Sequence, residues 1–212
     1  YLFGAPGAGL ASEAQVTLVP SAFTPKGFED YAFGDPERAF EPQTILWKEA
    51  ALDEEGRAAY SAPIPEKLSP PAALTAVVTA RVSEAGGRGV AARAKVPVDA
   101  YLSYPGIKKI GQSGLKPGEQ HEFEYVVVDG QGAKATAKSL LAELWEDRWQ
   151  TVLRRGDEGG FRYETKRDSR LVERREIASP GSSGRVGFTP PKFGSYRLRV
   201  ADPDSGAAAQ MT

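Results

Sequence analysis

Leu74-Thr-Ala-Val-Val-Thr-Ala-Arg-Val82, the turn residues Gly86-Gly-Arg-Gly89, and Val90-Ala-Ala-Arg-Ala-Lys-Val-Pro-Val98 decide how this chain is read. Leu74, Ala76, Val78, Ala80 and Val82 recur at every second position of the first run. Val90, Ala92, Ala94, Val96 and Val98 do the same in the second. A period of two puts each set on one face of a strand, and the glycine-rich turn folds one strand back on the other. The stretch predicts an antiparallel hairpin with one apolar face.

A longer phrase around this hairpin occurs twice. Gly56-Arg57 leads through Pro63, Pro65, Pro70 and Pro71 into residues 74–82 and the turn Ser83-Glu84. Gly184-Arg185 leads through Pro190-Pro191 into residues 195–200 and the turn Ala201-Asp202. Such self-similarity predicts two tandem copies of one β module. A length of 212 residues fits two domains with small cores better than one large enzyme core.

Working outward, residues 14–19 alternate around Val16 and Leu18. Residues 20–43 interleave prolines and glycines with Phe23, Phe28, Tyr31, Phe33 and Phe40, and read as a long, aromatic-pinned connection. Residues 44–48 and 57–62 read as short strands joined by the turn Asp53-Glu-Glu-Gly56. Turn residues between Asp99 and Gly106 suggest the boundary, giving domains 1–98 and 99–212. In the second, residues 121–128 form a strand before the turn Asp129-Gly-Gln-Gly132. Leu140, Leu141, Leu144 and Trp145 suit a helix, while Leu141, Glu143 and Trp145 also alternate; strand is favoured. Residues 161–165 read as a strand, and residues 186–188 with 196–200 as a closing hairpin. The predicted fold class is all-β: two tandem antiparallel sandwiches of the fibronectin or immunoglobulin kind.

Composition narrows the function. Basic and acidic side chains number 27 and 28, a net charge of -1, which argues against nucleic acid or an anionic membrane as the main partner. With no cysteine there is no disulfide framework, thiolate zinc site or cysteine nucleophile, and with no asparagine there is no N-glycosylation acceptor. No apolar run approaches the roughly 20 residues of a membrane span. The start Tyr1-Leu-Phe-Gly4 lacks the features of a signal peptide, so the chain reads as part of something longer.

No constellation points to catalysis, and neither a cofactor nor a metal is expected. His121, the sole histidine, has no cysteine to complete a typical zinc site and reads as a strand histidine; Ser113, the nearest serine in sequence, lacks a nucleophile elbow. Glu143, Glu146 and Asp147 read as solvated carboxylates rather than a glycosidase pair. Residues 143–176 hold nine acidic and nine basic side chains, which reads as a salt-bridged polar face. Arg155-Gly-Asp157 has the form of an adhesion tripeptide but sits in a glycine-rich turn. Trp149 and Phe161 are candidates for an exposed aromatic surface, with Trp145 and Tyr163 expected to pack in a core.

The order of these features resembles the macroglobulin modules of bacterial alpha-2-macroglobulins. Tyr1-Leu-Phe-Gly-Ala-Pro-Gly-Ala-Gly9, followed by the strand at Val16 and Leu18, looks like the element that enters the second strand of such a module. The Asp129–Gly132 turn, Leu144-Trp145, Trp149, Phe161-Arg-Tyr163 and Phe193-Gly-Ser-Tyr-Arg-Leu-Arg-Val-Ala-Asp-Pro203 look like the module that follows. The resemblance implies a non-enzymatic structural pair from the N-terminal half of a broad-range endopeptidase inhibitor. Its partners would be trapped proteases and neighbouring modules. It also implies a periplasmic lipoprotein that meets the membrane only through a lipid anchor outside this chain. The family's thioester joins a cysteine to a glutamine; here Pro117-Gly-Glu-Gln120 has proline where the cysteine must stand, and reads as a turn. Module one starts inside its motif, so the loss of an edge strand is expected. Charged residues 154–176 read as a solvated hairpin pair, with a cleavable bait segment as the alternative. An alternative from another class is a carbohydrate-binding or adhesive surface protein presenting Trp149 and Phe161.

Overall fold

The computed structural model describes residues 6–84, 86–111, 114, 116–155 and 160–212. Among these the strands are, in chain order, β1 (Ala11–Ser21), β2 (Ala32–Phe33), β3 (Gln43–Ala51), β4 (Ala73–Ser83), β5 (Gly89–Val98), β6 (Tyr104–Lys109), β7 (His121–Val128), β8 (Ser139–Arg155), β9 (Phe161–Ala178), β10 (Ser183–Phe188), β11 (Ser195–Ala201) and β12 (Ala208–Met211). The fold is all-β and its ladders are antiparallel. Two compact units form, one from residues up to Ala22 with Glu37–Ala100, the other from Phe23–Pro36 with Tyr101–Thr212.

The first unit holds a sheet in the order β3-β1-β4-β5. The β4–β5 hairpin has the expected register, with Leu74 opposite Val98, Val78 opposite Ala94 and Val82 opposite Val90. Its core gathers Val16, Leu18, Leu74 and Ala76, with Phe40, Ala62, Leu68 and Val98 packed against them. Along β5 the apolar face is open, with Val90 78% exposed. The expected strand at 57–62 does not form. The turn itself is present: the Asp53 carboxylate accepts from the N–H groups of Glu55 (3.1 Å) and Arg57 (2.7 Å). Beyond it Pro63, Pro65, Pro70 and Pro71 cannot donate to a ladder, so the segment runs irregularly and contributes Ala62 and Leu68 to the core instead.

The second unit has two facing sheets, β10-β7-β6-β2 and β12-β11-β8-β9. Ile107, Phe123, Tyr125, Val127 and Phe188 from the first interleave with Leu140, Leu144, Leu198 and Val200 from the second. Here β7 spans the predicted residues, and the ambiguous stretch after Lys134 is the strand β8. Three expectations change. Tyr104–Gly106, read as boundary turn, opens β6; β10 and β11, read as a hairpin, lie in opposite sheets because the Pro190-Pro191 segment carries the chain across; and β12 is an additional strand.

Residues 23–36, placed by the sequence in the first domain, fold with the second unit. Phe23 stacks on Tyr104 (ring centroids 4.2 Å apart) and meets Phe33 edge-on at 5.3 Å. Phe33 lies across Gly106, its direct partner on β6; a Cβ there would come within 2.5 Å of the ring, so glycine is required. Tyr125 covers Gly184 in the same way, its hydroxyl donating to the Pro180 carbonyl at 3.0 Å.

Candidate functional site

β8 and β9 are 17 and 18 residues long and stay paired from Ser139 with Ala178 out to Arg155 with Phe161. β11 pairs with β8 only as far as Asp147. Beyond Asp147 the hairpin continues as a two-stranded ribbon. Two chemistries therefore occupy one hairpin, a buried charged network at its base and an exposed ribbon past it.

At the base, alternation directs Leu140, Ala142 and Leu144 into the core and Glu143, Trp145 and Asp147 to the opposite face. On β11 the same alternation sends Leu198 and Val200 inward and Arg197 and Arg199 outward. Arg197 is paired through two nitrogens with Asp147 (Nη2 to Oδ1 2.9 Å) and donates to Gln210 (3.1 Å) and Ser169 (3.0 Å); Ser169 in turn donates to Asp147 (2.7 Å). Glu143 accepts from Arg174 (2.9 Å), Arg199 (3.3 Å) and the Trp145 indole (3.2 Å), and Arg199 also donates to Asp35 (2.9 Å). Glu143, Asp147, Arg197, Gln210 and Asp35 are all buried. Burial pushes the Asp147 carboxyl up, and hydrogen bonds from Arg197 and Ser169 more than offset this, leaving it below the ordinary aspartate value.

Glu146, on the other face of β8, is clamped by Arg148 (3.0 and 3.1 Å) and Lys192 (2.8 Å). Those hydrogen bonds, Arg148 first, hold its carboxyl down at about 2 from an ordinary 4.5. Its stabilising contribution is complete above pH 4.5 and is lost as the pH falls towards about 2. Glu146→Gln is expected to make acid unfolding of the second unit less steep in that window, measured by circular dichroism. The difference should shrink in high salt, because Arg148 and Lys192 are about half exposed.

The three carboxylates read as solvated are thus buried and paired, and the sequence reading missed Arg197, Arg199 and Asp35 altogether. The signal for the arginines lies in the sequence: two of them two residues apart, opposite acids at 143 and 147. In the ribbon Trp149 and Phe161 are exposed, and so is Tyr163, which the sequence placed in a core; it has left the sandwich with the ribbon. Trp145, still on the sheet, is half-buried.

Pro117 and Gly118 form a turn before β7, with the Gly118 N–H donating to Pro190 (2.9 Å), and His121 Nε2 accepts from the Lys116 N–H at 2.9 Å. Gly56 turns the chain after β3, whereas Gly184 lies within β10. Ser113, Gly156 and Asp157 lie outside the described residues, as do Tyr1–Ala5. Among the described residues no cluster of three His, Asp or Glu side chains is arranged to hold a metal ion.

Residues 1–99 match the family described as bacterial alpha-2-macroglobulin MG5 domain, and residues 106–212 match bacterial macroglobulin domain 6. An alpha-2-macroglobulin homolog from Nostoc sp. is 26% identical over 97% of this chain, and the alpha-2-macroglobulin of Xylella fastidiosa is 28% identical over 97%. The chain spans 11% and 13% of the lengths of these relatives. Escherichia coli alpha-2-macroglobulin activated by porcine elastase superposes on the whole chain with a TM-score of 0.69 at 24% identity, the chain covering 19% of that structure.

Proposed function

Because this chain belongs to the bacterial alpha-2-macroglobulin family and carries its fifth and sixth macroglobulin domains in series, we propose that it is a structural module pair of a protease-trapping inhibitor. The observation that carries this reading is the succession of the two family domains over almost every residue. In this reading the pair performs no chemistry. It helps hold the shell that closes round a protease after cleavage elsewhere in the polypeptide, and its partners are the trapped protease and the neighbouring modules. The thioester, if the parent has one, lies outside these residues, since Pro117 stands where the sulfur is needed. In the same reading the parent is a periplasmic protein held by a lipid anchor outside residues 1–212.

The size and compartment of the native polypeptide test this directly. An antibody to the chain is expected to detect, in the periplasmic fraction, a protein several times longer than 212 residues. A band at the chain's own 22.7 kDa would overturn the reading.

A further inference from the structure

The ribbon beyond Asp147 runs past the end of its neighbour β11 and presents two faces of its own. Directly paired residues of an antiparallel ladder share a face. The pairs Trp149 with Arg167, Thr151 with Thr165, Leu153 with Tyr163 and Arg155 with Phe161 therefore point to one side. Arg148 with Asp168, Gln150 with Lys166, Val152 with Glu164 and Arg154 with Arg162 point to the other. The first face carries all three exposed aromatic rings of the ribbon together with Leu153, and the second is polar apart from Val152. Trp149, Leu153, Phe161 and Tyr163 are 60%, 54%, 69% and 79% exposed, large apolar side chains in water on one face, with the Thr151–Thr165 pair between Trp149 and the other three.

The chain's near-neutral total conceals a local separation of charge. Glu143, Glu146 and Asp147 are consumed at the base by Arg174, Arg199, Lys192 and Arg197. Of the seven basic and four acidic side chains in residues 148–170, Arg148 is held by Glu146 and Arg154 by Glu164, which leaves five basic against three acidic, two of the acids, Asp157 and Glu158, outside the described residues. Arg155 and Arg167 bracket the apolar stripe on its own face, Arg167 lying over the Trp149 ring at 5.7 Å.

We infer that this ribbon is an interfacial anchor that lays Trp149, Leu153, Phe161 and Tyr163 onto an anionic lipid surface. Aromatic rings with a polar edge settle at the headgroup level, and an apolar face bracketed by cations is the pattern of interfacial amphipathic segments. One strand layer is thin enough to keep Arg162 and Lys166, on the far face, within about one Debye length (~8 to 10 Å) of the lipid phosphates, Arg154 there being paired with Glu164. A second copy of the chain is a poorer occupant, because it would oppose cations to cations. A glycan is poorer too, because the stripe carries no carboxylate or carboxamide to fix sugar hydroxyls. The inference stands on the ribbon alone and does not depend on the trapping role.

Sedimentation of the 212-residue chain with vesicles tests it. Vesicles of mixed phosphatidylglycerol and phosphatidylcholine are expected to bind the chain about tenfold more tightly than phosphatidylcholine alone, the advantage fading in high salt. Trp149→Ser with Phe161→Ser should weaken binding by at least about tenfold. Arg155→Gln and Arg162→Gln should each weaken it about fivefold. An unchanged thermal midpoint shows that the variants still fold. Bromine-labelled lipids should quench the tryptophan emission of a Trp47→Phe chain, and adding Trp149→Phe should remove most of that quenching. Equal binding to neutral and anionic vesicles, retention by the aromatic variant, or absence of quenching would overturn the inference. Capture by polyglutamate or soluble glycans without vesicle binding would also overturn it, assigning the face to an acidic protein or a sugar.

Discussion

Arg197→Ala is expected to destabilise the second unit by about 3–5 kcal/mol, measured by urea unfolding. The guanidinium and Asp147 are both buried, and Arg197 also satisfies Gln210 and Ser169. Removing it leaves an ionised carboxylate in a poorly solvated site, with the Ser169 hydroxyl and the charge of Arg167 in place of a bidentate partner. The cost arises from that orphaned charge rather than from the strength of the pair, which separates two explanations experimentally. If desolvation dominates, Arg197→Met combined with Asp147→Leu should recover most of the loss, because an apolar pair of similar volume needs no compensation. If the pair itself supplies the stability, the double variant should be as weak as Arg197→Ala.

Phe188→Ala should cost a similar amount, about 3–5 kcal/mol, for a different reason. Phe188 is buried at the end of β10 among residues of both facing sheets, in the same cluster as Phe123, Leu144 and Tyr196. Its deletion leaves a cavity between two hydrogen-bonded sheets, which cannot collapse without breaking ladder bonds. Arg175 lies over the ring at 5.3 Å and loses that contact as well. The same denaturant curves report this loss, and a change below about 1 kcal/mol would mean that the sheets close over the gap.

The legibility of this fold in its sequence follows the strength of local patterning. The β4–β5 hairpin was readable residue by residue because every second position is apolar and the turn is glycine-rich. The Asp-x-x-Gly turns at 53–56 and 129–132 were readable because aspartate bonds its own backbone there, while Gly56 and Gly132 adopt positive φ (74° and 81°). What local pattern could not show is which sheet a strand joins. β10 and β11 look like a hairpin in sequence yet face each other across the core, and residues 23–36 look like a connection yet dock through Phe23 and Phe33 on β6. Those choices are made by tertiary partners far along the chain. The charged base was hidden for the same reason: acids on β8 and arginines on β11 are about 50 residues apart, and a balanced composition reads as surface until the pairing register aligns them. Tyr163 was misplaced because nothing in residues 148–170 shows that the hairpin outruns its sheet.

The measurement that tests the central claim most directly is the rate at which elastase digests a large protein substrate, in the presence either of the full-length parent polypeptide or of the 212-residue chain alone at equal molar amounts. The account predicts suppression by the parent and none by the chain, because a structural module pair holds the trap without being one. Inhibition by the chain alone, or a parent that leaves digestion unchanged, would contradict it.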